Sequence, residues 1–300
     1  VLERYHLDFV RAGAQLKGKS RDRLAAIAQR LAVLGTQFSQ NVLADEENWT
    51  LPLVESQMAG VPASIRDAAA AKALELKLDA PFAVTLSRSS VEPFLQYAED
   101  RGLREQLWRA WVSRGDNDNA HNNNAIMSEM LALRAERASL LGYENFAAFK
   151  LADSMAGTPQ KARALLEDVW SPARARALEE RDALQELIAR EGSNFRLAPW
   201  DWRFYAEKLR REKYDFDEAA LKPYFQLENL IQASFFTAQK LFGLGFTERQ
   251  GMPVYHPDVR VWEVAREGEV IGLFYGDYFA RAGKQGGAWM SSFRDQERVN

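Results

Sequence analysis

The segment Gly272–Phe293 reads G-L-F-Y-G-D-Y-F-A-R-A-G-K-Q-G-G-A-W-M-S-S-F, and its pattern differs from that of the preceding chain. It is rich in aromatic residues and glycine and has the pattern of strands rather than helices. Upstream of it, Val259–Val264 alternates in the same way, and Glu267–Glu269 is typical of a turn. We therefore predict a small antiparallel meander at about 259–293, with strands at Val259–Val264, Val270–Phe279 and Ala288–Phe293.

Most of the sequence before this segment has the three-to-four-residue spacing of amphipathic helices. The clearest helix follows Ser20 and places one apolar face inward: Leu24, Ile27, Leu31, Leu34, Phe38 and Val42. Further helices are predicted at about 91–113 and 123–141, and the short apolar run Ala80–Leu86 is a strand or an extended connector. The fold class predicted from these patterns is mainly α.

A long helix is predicted to begin at Thr158-Pro159, an N-cap followed by proline at the first helical position. We expect Pro172 to kink or split this helix. Its inward residues are expected to be Leu165, Leu166, Val169 and Trp170. A strongly buried helix is predicted at about 227–242, ended by Gly243 and Gly245. In Trp200-Asp201-Trp202, Asp201 is expected to be an N-cap, and the tryptophans are expected to be packing anchors.

Bulk composition excludes several classes of function. The chain has 300 residues, 39 basic and 42 acidic side chains, a formal net charge of −3 and no cysteine. A generic phosphate-binding surface for nucleic acid needs a clustered basic excess, which is absent here. Disulfides and thiolate chemistry are excluded, and no apolar run is as long as a membrane span. We expect a soluble, cytoplasmic protein, with a periplasmic location left open, and we expect the chain to be a fragment.

The sequence contains no recognisable catalytic motif. Its histidines are His6, His121 and His256, and none begins a His-Glu-x-x-His pair, the spacing that lets two imidazoles bind one zinc ion. The glycines of residues 283–287 lie between predicted strands and not before a helix, so we expect a hairpin loop rather than a phosphate cradle. The run Asp116–Asn124 lacks the glycine and glutamate of a calcium loop, and we expect a solvated turn whose last asparagines cap the next helix. No catalytic and no metal-binding residue is assigned.

Several segments in the same order and spacing resemble a known family. They are Leu131–Tyr143, Leu151–Ala156, Pro199–Tyr205, Lys213-Tyr214, Leu221–Leu227, Leu241–Phe246 and the stretch from Gly272 through Met290. Together they are similar to the thimet oligopeptidase family of zinc metallopeptidases, nearest its bacterial peptidyl-dipeptidase (dipeptidyl carboxypeptidase) and oligopeptidase A members. The likeness extends over essentially the whole chain.

This resemblance implies a mainly α, neurolysin-like lobed architecture with a small antiparallel β-sheet near the C-terminal end of the chain. It implies two parts, an N-terminal helical portion at 1–100 and the beginning of the peptidase domain at 101–300. It also implies hydrolysis of short peptides by zinc-activated water, with the zinc ligands on a His-Glu-x-x-His helix that this sequence does not contain. Zinc is therefore expected in a longer parent protein and not in this chain, which is expected to be inactive alone.

One part of a substrate wall is still predicted within the chain. Extended peptides add to the edge strand of a sheet through main-chain hydrogen bonds, and small residues allow close backbone approach. The candidate residues for such an edge are Gly286, Gly287, Ala288, Trp289 and Met290. The competing interpretation is that Trp289 and Met290 only pack the sheet onto helices.

Two further interpretations stay open at this point. The chain could be a non-enzymatic helical module that binds a peptide or protein, or a purely structural helical scaffold. If it is a peptidase fragment, helices and strands that pack on missing residues would expose apolar faces and sheet edges, and self-association is expected.

Overall fold

The computed structural model describes residues 2–215, 221–281, 284, 290–292 and 294. By its internal contacts the chain divides into two compact units, residues 1–209 with 286–300 and residues 210–285. No helix of the described residues is both long and apolar enough to cross a membrane.

The described part of the chain is mainly helical. Its helices are α1 Leu2–Arg11, α2 Gly18–Asn48, α3 Ala63–Glu75, α4 Arg88–Tyr97, α5 Arg101–Val112, α6 Asn124–Leu140, α7 Phe146–Leu151, α8 Pro159–Arg190, α9 Pro199–Tyr214 and α10 Leu227–Phe242. Its strands are β1 Thr50–Leu53, β2 Phe82–Thr85, β3 Leu244–Arg249, β4 Arg260–Arg266 and β5 Glu269–Gly276. Short 3₁₀ turns cover Glu55–Met58 and Lys222–Tyr224.

The predicted fold class, mainly α with a small antiparallel sheet towards the C-terminal end, is confirmed. The strand boundaries differ from the prediction: the sheet has the order β3-β4-β5 and covers 244–276 rather than 259–293. Gly243, with φ +68°, ends α10, and β3 begins at the next residue. Half of the strand predicted at Ala288–Phe293 lies outside the described residues, and the other half, residues 290–292, has no strand structure. The division at residue 100 and the lobed arrangement stay predictions.

The first core lies where β1 and β2 pair antiparallel beneath α3, α4 and α5. The run Ala80–Leu86 therefore does contain a strand, because its apolar side chains pack into this core. The helix predicted at 91–113 is two helices, since the chain turns at Ala98–Asp100 and the Asp100 carboxylate accepts a hydrogen bond from Leu103 N at 3.1 Å. A capping carboxylate of this kind favours a new helix start over continuation of the first helix.

A second core is formed by α2 and α6, where Ile27 and Leu34 pack with Ile126 and Leu133. The apolar face predicted for α2 is confirmed, although the helix begins at Gly18 and not after Ser20. Two bidentate arginine–glutamate pairs flank this contact on its exposed side: Arg23–Glu136 and Arg30–Glu129, with nitrogen–oxygen distances of 2.6–2.7 Å.

The asparagine-rich loop between α5 and α6 folds around a carboxylate of α2. Asp45 accepts hydrogen bonds from Gly115 N at 2.8 Å, Asn117 Nδ2 at 2.7 Å and Asn119 Nδ2 at 3.0 Å. Burial alone would raise the pKa of Asp45, but these three hydrogen bonds outweigh it and lower the pKa. The loop was expected to be a solvated turn, and it is exposed at residues 116 and 118–120 but partly buried at Asn117 and buried at Asn123.

Asn123, at the end of this loop, is buried and makes no side-chain cap to α6. Its amide accepts a hydrogen bond from Asn41 Nδ2 at 2.9 Å and donates one to Phe38 O at 3.1 Å, so the group that would cap the helix is already used. The backbone beside it is tight: Gly115 has φ +74°, and a Cβ there would lie 2.8 Å from Asn123 Nδ2. Only glycine fits this position without displacing the buried amide.

Helix α8 is a single helix of 32 residues that continues through Pro172, so the predicted split does not occur. Its start is as predicted, with Thr158 Oγ1 accepting from Lys161 N at 3.3 Å. Only its C-terminal half is buried, where Leu184, Leu187 and Ile188 pack with Phe204 and Tyr205 of α9. The residues predicted to face inward from its first half are more than half exposed: Leu165, Leu166, Val169 and Trp170.

Helix α10 also differs from the prediction, because Ile231 is its buried residue while several of its other large apolar side chains are exposed. Those exposed side chains are Leu230, Phe236, Leu241 and Phe242. Periodicity correctly identified both helices, but it could not show that each is covered on only part of its apolar surface.

A buried ion pair connects α5 to the first turn of α9. Asp201 is fully buried and accepts hydrogen bonds from Arg104 Nη2 at 3.0 Å, from Arg101 Nε and Nη2 at 3.1 and 2.9 Å, and from Ala198 N at 3.1 Å. Arg104 is equally buried and donates from Nη1 to Ala98 O at 2.7 Å and to Glu99 O at 3.0 Å. Asp201 is thus a linking residue within α9 rather than the N-cap that the sequence suggested.

We predict that Asp201→Asn lowers the free energy of unfolding by about 3–5 kcal/mol, because it leaves the buried Arg104 guanidinium without its counter-charge. The measurement is urea unfolding at neutral pH. The matched control is Glu136→Gln, which breaks an exposed arginine pair and should produce a much smaller change. Equal effects of the two substitutions would contradict the importance assigned to the buried pair.

Candidate peptide-binding edge

The three-stranded sheet of the second unit is the described structure nearest in sequence to the predicted substrate edge. β4 is central, with Val261 opposite Arg249 on one side and Tyr275 on the other. Among the described strands, β5 has a pairing partner only in β4, so no described strand pairs with the backbone donors and acceptors of its other edge. Residues 269–275 of β5 are exposed.

Aromatic packing attaches this sheet to α10. Phe235 of α10 stacks on Phe246 of β3, with ring centroids 4.1 Å apart and planes 8° apart. The same ring meets Trp262 and Phe274 edge-on, with centroids at 5.3 and 5.8 Å. Trp262 is almost fully buried. Because side chains alternate between the two faces of β4, Trp262 points towards α10. This aromatic contact supports the sheet from one face.

Arg260 links three elements of the second unit. Its Nε and Nη2 donate to the two oxygens of Glu248 in β3 at 3.0 Å each, and its Nη1 donates to Glu228 of α10 at 2.6 Å. The guanidinium also lies over the Trp262 ring, 4.8 Å from its centroid. The hydrogen bonds that Arg260 donates to Glu248 and then to Glu228 raise its pKa above the ordinary value. A single side chain thus sets the position of β3, β4 and α10 together.

The hairpin between β4 and β5 is as predicted. Glu267 and Gly268 both have positive φ, +52° and +85°, which is the geometry of tight two-residue hairpin turns. The register shifts between Val264 and Ala265, so a bulge precedes the turn. At the other end of β5, a Cβ on Gly276 would lie 2.8 Å from the Trp262 ring, and the absence of a side chain lets the backbone pass close to that ring.

After β5 the chain is held by a cluster of charges around Asp277, which we call the Asp277 cluster. Arg281 donates to both oxygens of Asp277 at 2.7 Å, Tyr255 Oη donates to Oδ2 at 3.1 Å, and Lys284 Nζ lies 3.2 Å from Oδ1. Lys284 Nζ also donates to the backbone oxygens of Asp277 and Phe279 at 3.1 and 2.8 Å. Three side chains therefore hold the chain at Asp277 after the end of β5.

The interactions within the Asp277 cluster lower the pKa of its carboxylate and raise the pKa values of two of its partners. The hydrogen bonds from Arg281, with those from Lys284 and Tyr255, hold the pKa of Asp277 well below its usual range. The same carboxylate raises the pKa of the Tyr255 hydroxyl and of the Arg281 guanidinium. At neutral pH the Asp277 carboxylate is ionised, so each of its two oxygens accepts a hydrogen bond from Arg281.

Of the predicted edge residues, Gly286, Gly287, Ala288 and Trp289 lie outside the described residues. Met290 is described and is 90% exposed. Sequence reasoning missed the Asp277 cluster, although Asp277 and Arg281 are four residues apart and carry opposite charges, a signal that could have been noticed. Tyr255 could not have been linked to them, because it is 22 residues away in sequence.

The described residues offer no site for zinc. None of their His, Cys, Asp and Glu side chains forms a group of three or more that could hold a metal ion. His6 is exposed on α1, His121 lies in the asparagine-rich loop, and His256 Nδ1 accepts a hydrogen bond from Asp258 N at 3.2 Å. The residues present therefore do not fit the zinc centre that the resemblance implies for a parent protein.

We predict that Asp277→Asn destabilises the sheet at neutral pH and that the difference from wild type narrows in acid. The folded-state pKa lies below the ordinary value of about 4, so the stabilisation is present above that pH and is lost as the pH falls through the depressed pKa. Urea unfolding at pH 7 and pH 3 measures the difference.

Glu269→Gln is the control for this experiment, because it removes an exposed carboxylate from β5 without touching the Asp277 cluster. A pH-independent difference for Asp277→Asn, or an equal loss of stability in the control, would show that the cluster does not anchor the segment.

The chain matches the model of peptidase family M3 over residues 94–300. It is 41% identical to dipeptidyl carboxypeptidase from Escherichia coli over its whole length and 37% identical to oligopeptidase A from Escherichia coli over 97% of the chain. Saccharolysin from Saccharomyces cerevisiae is 28% identical over 96% of the chain. The chain spans 41–44% of the length of these three relatives.

The relatives at 41% and 37% identity carry the two names that the motif resemblance singled out, and the matched region contains the sheet, the Asp277 cluster and the predicted edge. The resemblance is therefore confirmed, and the chain belongs to peptidase family M3.

Proposed function

We propose that this chain is part of a zinc-dependent oligopeptidase or peptidyl-dipeptidase that hydrolyses short peptides. The observation that carries the proposal is the match to peptidase family M3 over 207 residues, 94–300, together with 41% identity to a dipeptidyl carboxypeptidase across the whole chain. The zinc ligands and the catalytic base belong, in this proposal, to a His-Glu-x-x-His helix that the sequence does not contain. The chain alone is accordingly inactive.

The contribution of this chain is a share of the peptide-binding wall. An extended substrate pairs with the backbone of residues 286–290, which gives main-chain hydrogen bonds without strong side-chain selection. Two observations support this proposal. The Asp277 cluster holds Asp277, Arg281 and Lys284, which lie shortly before the segment in sequence, and anchoring of neighbouring chain lowers the conformational entropy that is lost when a peptide binds. Met290 is exposed, so its side chain does not pack the sheet onto a helix.

A non-enzymatic helical module that binds a peptide or protein is the second candidate. It is less well supported, because the relatives at 41% and 37% identity are named as peptidases and the match covers the sheet as well as the helices. We also propose a cytoplasmic location.

The test uses an internally quenched fluorogenic peptide and a longer protein that contains this sequence. We expect hydrolysis that 1,10-phenanthroline abolishes, and a Michaelis constant raised about fivefold or more by Gly287→Val with kcat little changed, because a branched side chain blocks backbone approach. The 300-residue chain in the same assay should show no chelator-sensitive hydrolysis.

The control is Gly272→Val in β5, where an added Cβ meets nothing within 4 Å and the Michaelis constant should not change. An unchanged constant for Gly287→Val would refute the proposed edge while leaving the peptidase assignment intact. Chelator-sensitive hydrolysis by the 300-residue chain would refute the assignment of the zinc site to residues outside it.

We further propose that the chain alone self-associates through the exposed stripe of α8. This stripe holds the residues Leu165, Leu166, Val169 and Trp170, all more than half exposed. The occupant is a second copy of the same stripe, since two copies related by a two-fold axis would cover each other's apolar side chains. Burial of these side chains removes apolar surface from water, which drives association.

Light scattering should therefore show a species larger than a monomer for the wild-type chain. The double variant Leu166→Lys and Trp170→Lys should shift it towards monomer, because two like charges would meet across the interface. Met155→Lys, at a fully exposed apolar residue before α8, is the control and should change nothing. A monodisperse wild-type monomer would refute the proposal.

A further inference from the structure

A cavity of about 390 Å³ in the first unit is lined by four tryptophans. Trp108 and Trp111 come from α5, and Trp200 and Trp202 come from the first turn of α9. Leu95 of α4 and Arg203 of α9 also line the cavity. The volume lies within the range of about 300–1,000 Å³ that small-molecule pockets occupy. Half of the eight tryptophans of the chain are therefore gathered at one concave surface.

The walls of this tryptophan pocket are positioned by buried structure. Trp108 and Trp200 contact each other with ring centroids 5.7 Å apart and planes inclined by 58°. The helices that carry them are joined by the Arg104–Asp201 pair, and Leu95 is part of the first core. A pocket supported in this way is formed before a ligand arrives, which lowers the entropic cost of binding.

The charges around the pocket argue against a cationic ligand. Two guanidinium groups already lie over the Trp200 ring, with Arg109 at 4.9 Å and Arg101 at 5.5 Å from the ring centroid. Arg109 pairs with Glu105, Arg203 pairs with Glu92, and Arg101 shares Asp201 with Arg104. These are four guanidinium groups and three carboxylates. An added cation would compete with arginines for the same aromatic faces and meet a net positive surrounding.

A guanidinium group at the pocket indicates the polar part of the ligand. Arg203 lines the pocket and its side chain is exposed, so it can hold a negatively charged acceptor. Its Nη2 lies 3.0 Å from Glu92, and a guanidinium has further N–H groups that can donate to a ligand.

We propose that the tryptophan pocket binds a planar aromatic group that bears a carboxylate. The ring lies among the tryptophan side chains, and the carboxylate pairs with Arg203. Two sources share this chemistry: a free aromatic acid, and the C-terminal aromatic residue of a peptide. The inference does not depend on the proposed peptidase activity, because it concerns residues of α4, α5 and α9 and needs no zinc.

The experiment is a titration of the ¹⁵N-labelled chain, followed through its indole N–H resonances. Trp200→Phe identifies the Trp200 resonance by its loss. The probe is 2-naphthoate, and we expect a saturable shift of the Trp200 resonance while that of the exposed Trp170 does not move. Phenyltrimethylammonium at the same concentrations should leave the Trp200 resonance in place, and tighter binding of this cation than of naphthoate would overturn the proposal.

Two variants locate the interaction. Arg203→Gln, at an exposed side chain whose loss leaves the core intact, should weaken naphthoate binding about threefold or more, and Trp111→Ala about tenfold or more. Trp170→Ala is the matched control and should bind as the wild type does. Unfolding curves verify that each variant is folded, and unchanged affinity in Arg203→Gln would overturn the proposal even if Trp111→Ala does not fold.

The peptide Gly-Gly-Phe and its C-terminal amide separate the two sources. Binding of both naphthoate and the free-acid peptide indicates a peptide C-terminus, and binding of naphthoate alone indicates a free aromatic acid. Equal binding of the amide would overturn the role of the carboxylate. No shift of the Trp200 resonance with any of these probes would overturn the site itself.

Discussion

The first unit depends on one interaction, the ion pair between Arg104 and Asp201. The two residues are 97 positions apart, so their contact fixes α5 against the beginning of α9 regardless of the intervening chain. Both are buried, and such a pair is tolerated only when its hydrogen bonds are satisfied. Here Asp201 also accepts from Arg101 and Ala198, and Arg104 donates to carbonyls at the end of α4. Burial lowers the pKa of Arg104, and the Asp201 carboxylate acts against that decrease.

Carboxylates anchor irregular segments at two other places in the chain. Asp45 organises the asparagine-rich loop before α6, and Asp277 organises the segment after β5. The donors to Asp45 are 70 to 74 residues away in sequence, whereas Asp277 is bound by Tyr255, 22 residues away, and by the nearby Arg281. The depressed pKa of each carboxylate has the same cause, hydrogen bonds that favour the ionised form. Loops with few apolar residues can be held in this way without a core of their own.

Membership of peptidase family M3 gives a context for the surfaces that the units leave open. The first half of α8, much of α10 and all but the last residue of β5 are exposed although their apolar patterns are typical of buried elements. The relatives at 41% and 37% identity are more than twice as long as this chain. The sheet and the Asp277 cluster lie within the region that matches the family.

The helical periodicity, the alternation of β4 and the Glu267-Gly268 turn are local properties, and the sequence by itself determined them correctly. It also identified the family, because the order and spacing of motifs can be compared without knowledge of side-chain contacts. The sequence did not reveal which apolar stripes are covered, since a stripe such as Leu165–Trp170 has the same period whether or not a partner lies on it. Contacts over 22 to 97 residues, from the Asp277 cluster to the Arg104–Asp201 pair, were decided only by the tertiary structure, because chain reversal and not local pattern brings those charges together.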